Sequence, residues 1–76
     1  MPPMHPMAHL RKNIFDLSQR EFAAAIGVNQ STVSRWEADE LEPSRSEMAA
    51  IRALAERRAI EWHDRWFFEV PAGEAA

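Results

Sequence analysis

The side chains able to do chemistry are few in this 76-residue chain. Its histidines are His5, His9 and His63. His5 and His9 stand at the i,i+4 spacing that presents two metal ligands on one helix face. Pro6 lies between them and no third ligand is close, so they read as part of a polar N-terminal arm rather than a metal site. Glu61, His63 and Asp64 read as helix-surface charge, not a triad. Cysteine is absent, which excludes a thiol nucleophile, cysteine-ligated zinc and disulfides, and fits a reducing, cytoplasmic setting. No glycine-rich phosphate loop and no nucleophile–base pair occurs. The chain therefore reads as a non-enzyme without cofactor or metal. What remains is hydrogen-bonding chemistry. An amide, two hydroxyls and a guanidinium fall close together at Gln30, Ser31, Ser34 and Arg35, suited to polar edges and anions.

The elements that would hold them are helical. No alternating β-branched run exists, and alanine, arginine and glutamate favour helix throughout. A first helix is expected from about Met7 to Phe15. Ser18, with Glu21 three residues on, forms a capping box, and a second helix follows over Gln19–Ile26. Gly27 ends it, since glycine accepts positive φ without strain. Asn29 is the next N-cap, for a third helix over Gln30–Glu37. Ser44 with Glu47 opens a last helix. From Arg45 to Val70 there is no glycine or proline, and Met48, Ile51, Ala55, Ala59, Trp62, Trp66 and Val70 share one stripe at helical period. One continuous helix is expected there; the alternative is a break near Ala59 that folds the segment back and hides the same tryptophans within one chain. Residues 1–6, with three prolines, read as an extended arm and not a signal peptide. Residues 7–70 form the domain and 71–76 a tail.

Packing assigns most apolar positions. Ala23 is small enough for a steep helix crossing. Phe22, Ile26 and Val28 face the core from one side, and Val33 and Trp36 from the third helix. Gln30, Ser31, Ser34 and Arg35 are left pointing outward, none of them needed for packing.

Gln19, Ala23, Gly27, the Ser31-Thr32-Val33-Ser34 run, Trp36-Glu37 and Pro43 together resemble the Cro/repressor (XRE-type) helix-turn-helix family, over about residues 8–56. The resemblance implies an all-α fold, a small four- to five-helix bundle of phage-repressor-like type, here with a long C-terminal helix. It implies that the third helix enters the DNA major groove. Gln30 and Ser31 would then reach base edges, with Ser34 and Arg35 one turn on. Gln19 and Arg45 would meet phosphates, Arg20 would add a basic contact, and Asn29 and Thr32 complete the DNA-facing set. Lys12 and Glu37 match a charge pair tying the first helix to the third. The sequence departs from the family at Asp16 and at Ala38-Asp39-Glu40, where glycines are usual; aspartate tolerates left-handed φ better than most residues.

Charge is uneven. The formal net is −3, which taken alone argues against a nucleic-acid partner. Residues 10–35, however, carry four basic side chains against Asp16 and Glu21, a net of +2. Glu37, Asp39, Glu40 and Glu42 follow as an acidic loop. Ala55, Ala59, Trp62, Trp66 and Phe67 are expected to form a homodimer interface, because aromatic side chains are enriched at interface centres. The expected function is a sequence-specific DNA-binding regulator, a repressor acting on a two-fold operator as a homodimer. Alternatives are an antitoxin that also binds a toxin, or an interaction module that has lost DNA binding.

Overall fold

The computed structural model describes residues 4–70. The expected arm at residues 1–6 falls within it only from Met4, and the expected tail 71–76 lies outside the described residues. The first helix, α1, spans Pro6–His9 and widens into a π-helical turn over Leu10–Ile14. Then come α2 (Gln19–Ile26), α3 (Gln30–Glu37) and α4 (Arg45–Arg57), and last a short 3-10 turn over Asp64–Phe67. The described residues contain no strand. The whole measures 30 × 27 × 21 Å.

Local chemistry sets the helix ends. His5 caps α1: its Nδ1 accepts the Met7 N–H at 3.1 Å. Both capping boxes form. Ser18 Oγ accepts the Glu21 N–H at 3.1 Å while Glu21 accepts the Ser18 N–H at 2.9 Å. Ser44 and Glu47 exchange the same pair at 3.1 and 2.7 Å. Gly27 turns left-handed at φ 77°, and a methyl group there would meet nothing within 4 Å. The backbone angle, not crowding, calls for glycine at that point. Asp16 and Asp39 also take positive φ, 56° and 61°, so the two aspartates fill the turns where the family usually has glycine.

The core gathers Met7, Leu10, Phe15, Phe22, Ala23, Val33, Trp36, Ile51 and Leu54 from α1 to α4. His9 is also fully buried. It belongs to the packed domain and not to a polar arm, because α1 begins at Pro6 and carries it inward.

The continuous last helix does not form. α4 stops at Arg57 and Ala59 turns left-handed, φ 57°. The Ile60 N–H bonds the Ala55 carbonyl at 2.9 Å and the Ala59 N–H bonds the Glu56 carbonyl at 3.1 Å. That is a Schellman stop with alanine where glycine is usual. The chain then folds back. Trp62 stacks on Phe15 at 5.9 Å between centroids. Phe67 and Trp66 pack on Trp62 at 5.1 and 5.2 Å. Asp64 holds the return: it accepts from Arg52 Nε and from Trp62 Nε1, each at 2.8 Å.

The proposed dimer stripe is dismantled by the same turn. Ala55 and Phe67 are buried in the chain's own core, and Trp62 and Trp66 are half-buried against it. Ala59 sits at the turn itself.

The turn gives a signed prediction. Glycine in a continuous helix costs about 1 kcal/mol relative to alanine. At a left-handed position it relieves a strain of about 1–2 kcal/mol and gives back ~0.5–1 in chain entropy. Ala59→Gly should therefore raise the melting temperature by about 2–6 °C. A lowered melting temperature would restore the continuous helix.

Candidate nucleic-acid interface

The helix-turn-helix is α2, the turn at Gly27–Asn29, and α3. Ala23 is buried at the contact between the two helices, and Val33 and Trp36 anchor α3 from below. With those faces fixed inward, Asn29, Gln30, Ser31, Ser34 and Arg35 are exposed and Thr32 is half-buried. Their spacing puts Gln30, Ser31, Ser34 and Arg35 on one face of a helix about 12 Å long. Among the described residues none of their side chains has a hydrogen-bond or ion-pair partner. Asn29 stands at the N-cap with extended backbone, but its side chain makes no capping bond. Arg20 and Arg45 are exposed in the first turns of α2 and α4, and neither has a partner among the described residues.

Gln19 differs from the rest. It is half-buried, and its Nε2 donates to Glu37 Oε1 at 3.1 Å. Glu37 in turn is gripped by Arg11, whose Nε reaches Oε2 at 2.6 Å and whose Nη2 reaches Oε1 at 3.0 Å. Arg11 Nη1 also donates to the Leu17 carbonyl at 2.9 Å. The side chains of Arg11 and Glu37 are 8% and 13% exposed. This cluster joins the π-helical turn, the start of α2 and the end of α3.

The partner expected for Glu37 was Lys12, and the structure corrects it. Lys12 is exposed. The reason lies in the face that α1 and the π-helical turn together bury: Met7, Arg11 and Phe15 follow one another at four-residue steps, and all three are buried, whereas Lys12 is followed four residues on by the exposed Asp16. Arginine also suits the site as lysine does not, since a planar fork can serve one carboxylate and one carbonyl together. The i,i+4 series Met7–Arg11–Phe15 was the sequence signal for this assignment.

Burial pushes the Glu37 carboxyl up, but the hydrogen bonds from Arg11 and Gln19 and the charges of Arg11 and Lys12 outweigh it. The net shift is downward from the ordinary glutamate value of 4.5. The exposed acids Asp39, Glu40 and Glu42 lie past the C-terminal end of α3. Gln30 stands at the other end of that helix. The first turn of α3 contains no acidic residue. Among the described residues there is no group of His, Asp and Glu that could hold a metal ion, and no helix is long and apolar enough to cross a membrane.

Two measurements check the cluster. Arg11→Ala strands a part-buried carboxylate, worth about 3 kcal/mol at the low end for a buried pair. It should lower the melting temperature by at least ~10 °C. Lys12→Ala, on an exposed residue, should move it by no more than ~3 °C. A carboxyl whose folded pKa lies below its unfolded value contributes stability that is complete above the unfolded value and is lost as pH falls through the folded one. The stability gap between wild type and Glu37→Gln should therefore be widest near pH 6 and shrink as pH falls below about 4.5. A gap that stays constant down to pH 3 would contradict the carboxylate's role.

Comparison with known proteins agrees with this geometry. A family model described as Helix-turn-helix matches residues 8–56, from α1 to the last turn of α4. Neither the curated proteins nor the solved structures give a match. The matched span contains the capping boxes, the Gly27 turn, the outward face of α3 and the Glu37 cluster, and on that ground the chain belongs to the XRE-type helix-turn-helix family, whose domain supports DNA-binding transcription regulation.

Proposed function

We propose that this protein is a sequence-specific DNA-binding transcription regulator that represses by occupying its site. The observation that carries the reading is the outer face of α3. Gln30, Ser31, Ser34 and Arg35 are exposed on one helix face and unpaired among the described residues, on a helix whose other face is anchored in the core. Polar side chains that packing does not use and that are rigidly presented are what base readout needs. Gln30 suits the N6/N7 edge of adenine and Arg35 the O6/N7 edge of guanine. Arg20 and Arg45, at the first turns of α2 and α4, serve the phosphates, where free helix N–H groups add to the attraction. Gln19 is already bonded to Glu37 through its Nε2, so its role is to hold the start of α2 in register with α3, and its backbone N–H at the helix start is the donor left for the phosphate.

Two copies on successive major grooves would read half-sites about 10 base pairs apart. With the aromatic stripe turned inward, the contact between copies would have to come from another surface, or the copies would be aligned by the DNA alone.

The test is a binding series on a site selected from a random duplex pool. Arg35→Ala should cost about 1–3 kcal/mol on the selected site and relax preference at one base pair. Arg45→Ala should weaken all duplexes alike and reduce the salt slope by about one. If Arg35→Ala bound selected and scrambled duplexes with wild-type affinity, base readout by α3 would be refuted.

A further inference from the structure

Beyond the C-terminal end of α3 the surface changes character. A groove of about 370 Å³ opens between the start of α1, the loop after α3, the first turns of α4 and the returning 3-10 turn. Its apolar lining includes Met7, Leu41, Pro43, Met48, Phe67 and Phe68. Leu41 is 45% exposed and Phe68 72%, the two large apolar side chains that the described core leaves at the surface. Asp39 and Glu42 line the same groove, and Glu40 stands exposed beside them. No lysine or arginine lines it. His5 does, with its Nε2 3.3 Å from Asp39 Oδ1.

We propose that this groove is a docking site for a basic segment of a partner protein, one apolar anchor residue flanked by lysine or arginine. Two features argue for that occupant together. The apolar floor and the exposed Leu41 and Phe68 supply a pocket and rim for a buried side chain, the usual form of an interface hot spot. The acids at the mouth select the charge of what surrounds it. Glu37 does not compete, because Arg11 already neutralises it. DNA is excluded by the same charge. A second copy of this chain is disfavoured: a two-fold contact across the groove would set Asp39, Glu40 and Glu42 against their own counterparts. The inference rests on the groove and is independent of the DNA-binding reading.

The probe is the peptide acetyl-Arg-Lys-Arg-Phe-Arg-Lys-Arg-amide, titrated into the full chain and followed by amide NMR shifts in 0.15 M salt. Shifts should cluster at Leu41, Met48 and Phe68. Alanine in place of the peptide's phenylalanine should weaken binding about tenfold, and so should Leu41→Ser, a surface change that leaves the melting curve near wild type. Asp39→Asn with Glu42→Lys, which keeps a side chain suited to the left-handed position, should weaken it further while an all-glutamate version of the peptide gains. Duplex binding should be unchanged in Leu41→Ser. Three results would overturn the proposal: no shifts at millimolar peptide, equal binding by the phenylalanine-free peptide, or a homodimer in sedimentation that Leu41→Ser dissociates. The last would assign the groove to a second copy.

Discussion

One carboxylate organises the matched part of this domain. Glu37 takes two N–H groups from Arg11 and one from Gln19, and a carboxylate so little exposed is stable only when its oxygens are satisfied. Satisfying them constrains three elements at once. The π-helical turn must deliver Arg11, α2 must begin where Gln19 can reach, and α3 must end where both meet. In a chain of this size, with a modest core, a polar cluster of that kind fixes an orientation that apolar packing would leave less sharply defined. The direction of α3, and so the direction of its outer face, follows from it.

α3 in consequence has two chemically different ends. Its N-terminal end presents amide and hydroxyl groups over a partly positive helix terminus, with no acid in its own first turn. Its C-terminal end runs into a loop with Asp39, Glu40 and Glu42 and the apolar groove behind it. Gln30 and Ser31 stand at the end away from these acids, while Arg35 lies in the last turn beside them. The charge is segregated along one short helix, and local field rather than total charge governs what each end attracts.

The C-terminal segment shows how burial overrides local preference. A helix continued through Ala59 would satisfy every propensity in the sequence but would leave four aromatic side chains, Trp62, Trp66, Phe67 and Phe68, far from the core. Folding back places Trp62 against Phe15 and buries Phe67 under Arg52. Each large apolar side chain so buried contributes about 1.5–3 kcal/mol. The left-handed alanine costs about 1–2. The balance favours the turn, and Asp64, bonded to Arg52 and Trp62, fixes where the returning chain lies.

What was legible in the residues was what acts over a few positions. Ser18 with Glu21, Gly27, and Ser44 with Glu47 each work within four residues of themselves, and α2, α3 and the start of α4 follow from them, as does the outward face of α3. What tertiary structure decided were contacts between distant positions. Arg11 rather than Lys12 meets Glu37, 26 residues away. Arg52 meets Asp64 across 12, a contact that a straight helix would hold about 18 Å apart. The stop at Ala59 carries no glycine or proline, and the helical period of the apolar residues runs through it unbroken. Periodicity records which residues seek burial, not whether they find it on their own helix or by reversing direction. That choice belongs to the core they reach, and Phe15, 47 positions before Trp62 in the sequence, is part of that core.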